Sequence, residues 1–226
     1  MSVKTLETAL PTLKNLCSHW LRVDLALKPN KAILGGGYDR AAFVADVDGL
    51  EETTREIQRR VKTRETAAGR LATDKDALKD RLQSFTRLVR GTLVDSEYAR
   101  ALPRLPLLES NEDLFMRPME DALALWARIN GAGSPLVLPD GTHREAFAAG
   151  IAVVKSSFRA REAALEEERK ARRVREEKVG GLRKRAVQYR QVVLASFPAN
   201  HMLVKDLPRL WPAQDRRKKP ATESVL

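Results

Sequence analysis

Two residues near the start of this sequence are of types that could do nucleophilic chemistry. Cys17 and His19, in NLCSHW at 15–20, could form a thiol–imidazole pair. Residues two apart on a helix point about 200° away from each other, so a local dyad is excluded. We therefore interpret Cys17 as an ordinary helix cysteine and His19 as a surface histidine.

A glycine-rich stretch, LGGGYDR at 34–40, precedes a predicted helix, as phosphate-binding loops do. A Walker loop would end in Gly-Lys-Ser or Gly-Lys-Thr, and a dinucleotide fingerprint would follow a strand. Neither condition is met here. We interpret the stretch as a flexible turn between helices.

Three consecutive carboxylates at 166–168 could in principle serve acid–base catalysis. Arg169 and Lys170 follow at once, which predicts a salt-bridged, water-facing helix surface instead. One cysteine and three scattered histidines give no metal-ligand spacing. We therefore predict no catalytic residue, no metal site, no cofactor, no small-molecule ligand and no enzymatic activity.

The charge of the chain raises the question of nucleic acid. The formal net charge is +11, and residues 1–106 contain 19 basic and 14 acidic side chains, so the excess is divided almost equally between the halves. Interleaved charges of this kind are typical of a solvated surface, whereas a phosphate-binding face often has a block of one sign. One such block lies in the tail, at Arg216, Arg217, Lys218 and Lys219.

The cellular location is predicted from three features that the sequence lacks, namely paired cysteines, a membrane span and a signal peptide. With Cys17 as the single cysteine, no intramolecular disulfide is possible, which favours a reducing compartment. No 18-residue apolar run predicts a membrane span, and the N-terminus shows no signal peptide. We expect a cytoplasmic protein that does not enter membranes.

The strongest pattern is an internal repeat. A shift of 104 positions aligns GYDRAAF at 37–43 with GTHREAF at 141–147, and LPRLP at 102–106 answers LPRLWP at 207–212. We interpret the chain as a duplication, with one repeat at 1–106, a second at 107–212 and a basic tail at 213–226. The predicted structural anchors of the repeats are Trp20, Phe43, Phe85, Pro103, Trp126, Phe147, Tyr189 and Pro208.

Each repeat has the same predicted plan. A short helix bearing a Trp, at about 4–27 or 112–130, leads through a Gly- and Pro-containing loop to a long helix at about 39–94 or 142–197. The fold class is therefore all-α. The composition agrees, because 31 % of residues are charged and only 5 % are aromatic.

The ends of the long helices have sequence signals. Asp39 and Thr142 stand where an N-cap could accept hydrogen bonds from free backbone amides. The Leu-Pro segments mark the exits, because the residue before proline is disfavoured in helical geometry.

The long stretches keep apolar residues at heptad spacing, with polar seam positions in the middle. They could run straight through and pack antiparallel, or each could turn back near 67–72 and 170–175. EEERKARRVREEK at 166–178 offers no turn residue, so we favour two continuous, antiparallel, coiled-coil-like helices in an elongated bundle.

The order LWARIN, LPDGTHREAF, QYRQVVLASFP and LVKDLPRLWP resembles a group of uncharacterised bacterial proteins with tandem helical repeats. Some of those proteins carry a fibronectin type III-like domain, for which we expect no room before Leu226. The resemblance implies a helical repeat fold and implies no activity.

These patterns favour a non-enzymatic helical scaffold or protein-interaction protein, whose partners could include a second copy of itself. The alternative is a nucleic-acid-binding protein that uses basic helix faces and the residues from Arg216 to Lys219. Trp211 has no counterpart in the first repeat, and we interpret it as a cap of the second bundle or a partner contact.

Overall fold

The computed structural model describes residues 3–133 and 135–210. The described part of the chain is an all-α helical bundle. It contains no β-strand, and its β-type pairing is limited to an isolated bridge between Leu34 and Tyr38. The helices are α1 (Val3–Ala26), α2 (Arg40–Thr92), α3 (Glu97–Arg100), α4 (Glu112–Ala132), α5 (Arg144–Ser196) and α6 (Met202–Lys205).

The two long helices, α2 and α5, are each uninterrupted over 53 residues. The prediction of continuous helices is confirmed, and the alternative turns near 67–72 and 170–175 do not form. Neither helix contains proline, and Ala, Leu, Glu, Lys and Arg dominate the middle of each, so propensity favours continuation. Both helices end within two residues of the predicted positions, and α3 or α6 lies between that end and the Leu-Pro segment.

The long helices pack against each other in antiparallel order. Arg64 Nη1 lies 3.1 Å from Glu168 Oε2, and further along α2 the Ser157 hydroxyl donates to Asp74 at 2.5 Å. The residue numbers rise along α2 while those of their partners fall along α5.

The chain divides into two compact units. Unit 1 comprises the described residues of Met1–Gln58 and Lys170–Leu226, and unit 2 comprises those of Arg59–Arg169. Each unit therefore takes segments from both predicted repeats.

Each unit has its own apolar core, formed by one Trp-bearing helix and segments of α2 and α5. The largest fully buried side chains in the core of unit 1 are Leu13, Leu16, Trp20, Phe43, Leu50 and Tyr189. Those of unit 2 are Leu78, Leu82, Phe85, Phe115, Trp126 and Phe147.

Candidate interaction groove

The groove begins with the loop that joins α1 to α2 in unit 1. Trp20 Nε1 donates to the carbonyl of Ala32 at 3.2 Å, and the Ala32 amide donates to Asp24 Oδ1 at 3.0 Å. These two bonds hold the loop against α1. At the far end, the Ala42 amide donates to Asp39 Oδ1 at 2.9 Å, so the predicted N-cap of α2 is confirmed.

A cavity of about 670 Å³ opens between the end of α1, this loop and the start of α2. Leu21 and Leu25 lie one helical turn apart on its wall and are 44 % and 52 % exposed. Lys28, Pro29 and Lys31 continue the lining. The result is an apolar patch with a basic rim.

The groove carries an excess of positive charge. Its two carboxylates are occupied within the protein, because Asp24 accepts from Ala32 and lies 4.0 Å from Arg40, and Asp39 caps α2. Lys28 and Lys31 have no carboxylate partner within the described residues. The groove can therefore accept apolar groups flanked by negative charge.

Unit 2 builds the same loop without the two leucines of the groove wall. Trp126 Nε1 donates to the Leu136 carbonyl at 3.2 Å, and the Leu136 amide donates to Asn130 Oδ1 at 2.9 Å. The residues one and five places after this Trp are Ala127 and Gly131, where unit 1 has its two exposed leucines. Unit 2 thus offers a natural comparison without the apolar wall.

The predicted aromatic anchors all lie in the two cores. Trp20 stacks on Tyr189 at a centroid distance of 4.3 Å and contacts Phe43 at 5.5 Å. The same arrangement recurs in unit 2, with Trp126 on Phe85 at 4.8 Å and against Phe147 at 5.8 Å. Pro103 and Pro208 are half-buried in the Leu-Pro segments.

His19 is 1 % exposed, so the prediction of a surface histidine is wrong. Its Nε2 lies 2.8 Å from the Leu203 carbonyl, and its Nδ1 lies 2.6 Å from the Tyr189 hydroxyl. Because a carbonyl only accepts, Nε2 carries the proton and the Tyr189 hydroxyl donates to Nδ1. Burial lowers the pKa of His19 and raises the pKa of Tyr189, so both are neutral at neutral pH. Cys17 is partly buried against the core of unit 1, and burial raises the pKa of its thiol.

Two further predictions at helix positions are wrong. Thr142 does not cap α5, because α5 begins at Arg144 and the Thr142 side chain hydrogen-bonds to Asp140. Glu168 is buried beside Arg64 instead of facing water, because it occupies a seam position between α2 and α5.

The sequence reasoning did not identify Lys75 as an unusual residue. This lysine is 5 % exposed, donates to the carbonyls of Leu108 and Ser110, and lies 4.6 Å from the Phe115 ring centroid. Burial lowers its pKa. Its position in the heptad could have indicated this burial, because a charged side chain in the seam between two helices is buried and needs polar partners.

The remaining predicted contacts, Trp211, Arg216, Arg217, Lys218 and Lys219, lie outside the described residues. Within 3–133 and 135–210, no group of three or more His, Cys, Asp or Glu side chains is placed to hold a metal ion. In the same ranges, no helix combines the length and the apolar character needed to cross a bilayer.

No family model, curated protein or solved structure matches this chain. The fold and the groove therefore define its class, a helical bundle with two long packed helices.

Proposed function

We propose that this protein is a non-enzymatic helical scaffold, and that its groove in unit 1 binds an acidic, amphipathic segment of a partner protein. The observation that carries the proposal is the pair of exposed leucines, Leu21 and Leu25, beside Lys28 and Lys31. Apolar anchors supply affinity in such recognition, and complementary charge guides the approach. A partner segment with two apolar side chains flanked by Asp or Glu fits both features.

The proposal includes an origin of the scaffold by internal duplication, which the similar packing of the two units supports. Gly37 and Gly141, which the 104-residue shift aligns, both have a positive φ, at 74° and 79°. The Leu34 amide donates to the Tyr38 carbonyl, and the Leu138 amide donates to the Thr142 carbonyl in the same way. After duplication, Leu21 and Leu25 would have made one copy of the loop a docking surface. The bacterial tandem-repeat group remains the proposed relative.

Site-specific photo-crosslinking in the source cells tests the groove. A photoreactive residue replaces Leu25 in one variant and Gly131, at the comparable place in unit 2, in the other. We expect a crosslink to a protein segment rich in Asp and Glu from position 25 only. A crosslink to a second copy of this chain, or equal yield from both positions, would contradict the proposal.

Binding of the purified crosslinked segment is then measured with charge variants. Lys31→Glu should weaken binding of the segment at least tenfold, because it reverses the charge of a rim residue beside the apolar wall. Lys184→Glu is the matched control on an exposed face of α5 and should leave affinity unchanged. Equal effects of the two variants would show that the groove is not the docking site.

A second candidate, nucleic-acid binding, is favoured by a separate cleft in unit 2. This cleft has a volume of about 560 Å³ and is lined by basic side chains, Arg59, Lys62 and Arg70, together with the hydroxyl of Ser156. Cations near hydroxyl donors suit a phosphate backbone. Binding of a single-stranded oligonucleotide at two salt concentrations tests it, and Lys62→Glu should reduce both affinity and salt dependence. Binding that is absent at low salt removes this candidate.

A further inference from the structure

An open cavity of about 450 Å³ lies in unit 1, at a different place from the groove on α1. Its walls come from the glycine-rich loop, α2 and α5, and its lining includes Tyr38, Asp46, Gly49, Lys178, Gly181 and Arg185. The volume is within the range of about 300–1,000 Å³ that small-molecule sites occupy. Glycine at two lining positions keeps the space open.

Arg185 is held in place by groups that leave part of its guanidinium available. The guanidinium lies 4.4 Å from the Tyr38 ring centroid, and Nη1 donates to the Gly35 carbonyl at 3.2 Å and to Gln188 Oε1 at 3.1 Å. The N–H groups of Nε and Nη2 have no partner among the described residues. These atoms form the edge of arginine that binds carboxylate or phosphate with two parallel hydrogen bonds.

Lys178 provides a second fixed cation at the same cavity. Its Nζ donates to the Gly49 carbonyl at 3.0 Å and to Thr53 Oγ1 at 2.8 Å. An ammonium group has three donors, so one remains for a ligand. No carboxylate of the described chain neutralises either Lys178 or Arg185.

Asp46 gives the cavity an acceptor beside these donors. The Tyr38 hydroxyl donates to Asp46 Oδ2 at 2.7 Å, which leaves the other carboxylate oxygen available. Burial, together with this bond, raises the pKa of Tyr38, so the phenol stays a neutral donor.

We propose that this cavity binds a small oxyanion compound that carries its own hydrogen-bond donor, as a hydroxycarboxylate or a sugar phosphate does. The oxyanion takes the free edge of Arg185 and the remaining donor of Lys178, and the ligand's hydroxyl donates to Asp46. The sequence analysis predicted no small-molecule ligand, because the residues that line this cavity lie far apart in the chain and form no local motif. Cations held by existing bonds lose little freedom on binding, which favours affinity.

Unit 2 has an arginine at the comparable place on α2, where it packs closely against α5. Arg81 lies four residues before Phe85, at the same spacing as Arg185 before Tyr189. The Nη1 atom of Arg81 lies 3.2 Å from the position that a Cβ on Gly150 would take. Arg81 is therefore packed against α5 and serves as a natural control.

The test titrates the full chain with inorganic phosphate, glycerol 3-phosphate, lactate and acetate while NMR follows the Arg185 Nε–H and the Gly181 amide. Glycerol 3-phosphate and lactate distinguish the phosphate source from the carboxylate source, and acetate lacks the donor for Asp46. We expect saturable shifts with at least one of the first three probes and at least tenfold weaker binding of acetate. Arg185→Lys should weaken binding at least tenfold because it loses the bidentate edge, and Arg81→Lys should not.

A cavity-filling pair completes the test. Apart from the adjoining residues and backbone of α5 itself, no heavy atom lies within 4 Å of a Cβ built on Gly180 or on Gly181, and of these two glycines Gly181 lines the cavity. Gly181→Leu should abolish binding, whereas Gly180→Leu should leave it intact. If Gly181→Leu does not fold, Lys178→Gln replaces it as the test variant, and it should weaken binding at least fivefold. The proposal is overturned if no probe gives saturable shifts, or if Gly181→Leu, or Lys178→Gln in its place, binds as tightly as the unaltered protein.

Discussion

The hydroxyl of Tyr189 donates a buried hydrogen bond to Nδ1 of His19 over 2.6 Å, and the opposite nitrogen of His19 donates to the Leu203 carbonyl. This chain of bonds joins α1, α5 and α6 in unit 1. Unit 2 has apolar residues at the comparable places, with Leu125 before its Trp and Phe85 stacked on it. The polar pair is therefore specific to one unit.

Acid should destabilise the protein through His19. Burial lowers the pKa of folded His19, while the pKa of a histidine in the unfolded chain is about 6.5. As the pH falls below about 6.5, the unfolded chain takes up a proton that the folded chain does not. The free energy of unfolding then falls by up to about 1.4 kcal/mol per pH unit, until the pH passes through the lowered pKa.

Urea denaturation at a series of pH values measures this effect. The double variant His19→Leu/Tyr189→Phe, which copies the residues of unit 2, should have a shallower slope in the same window. Identical slopes for the two proteins would contradict the assignment to His19.

The two side chains should also be coupled energetically. Tyr189→Phe leaves Nδ1 of His19 without a donor, and His19→Leu leaves the Tyr189 hydroxyl and the Leu203 carbonyl without partners. Each single change should cost about 1–3 kcal/mol, and the double variant should cost less than the sum by about 1 kcal/mol. A double-mutant cycle of unfolding free energies provides the measurement, and strict additivity would exclude the coupling.

Lys75 should fasten the segment around Leu108 and Ser110 to α2. Lys75→Met keeps the apolar stem but removes the donor to both carbonyls, so this segment should open more easily. We expect amide protection at 107–112 to fall about tenfold, which corresponds to about 1.4 kcal/mol. Hydrogen exchange reads this change, and Lys62→Met at an exposed position is the control that should leave the segment unchanged.

The two glycine turns should be sensitive to a side chain where φ is positive. Gly37→Ala, at a φ of 74°, should cost about 1–2 kcal/mol because an L-residue is strained there. Gly35→Ala, two residues earlier, has open space and no positive φ, so it should be nearly neutral. Thermal unfolding of the two variants compares them directly, and equal melting temperatures would show that the turn conformation is not required.

Local sequence signals predicted the helices well because each signal acts within a few residues. The heptad, the absence of proline and Asp39 as an N-cap fix α2 without any distant contact. Thr142 had the same local signal as Asp39, but its side chain hydrogen-bonds to Asp140 instead of the amides of α5.

The sites were harder to predict because their partners are distant in the chain. His19 is separated from Tyr189 by 170 residues, and Lys178 is separated from Gly49 by 129. Nothing near His19 shows that α5 and α6 will cover it. The burial of Lys75 and Glu168 was also missed, although their heptad positions between α2 and α5 were a local signal for it.

The division of the chain also determines the order in which the two units can form during synthesis. Unit 2 is one contiguous segment, Arg59–Arg169, so it can be completed before the ribosome has released the last part of α5. Unit 1 must wait for Tyr189 and its neighbours, and until then Trp20 on α1 has no stacking partner. A nascent chain stalled when Arg169 has emerged from the ribosome but Tyr189 has not should therefore combine a folded unit 2 with an uncovered apolar face on α1, to which a chaperone would bind.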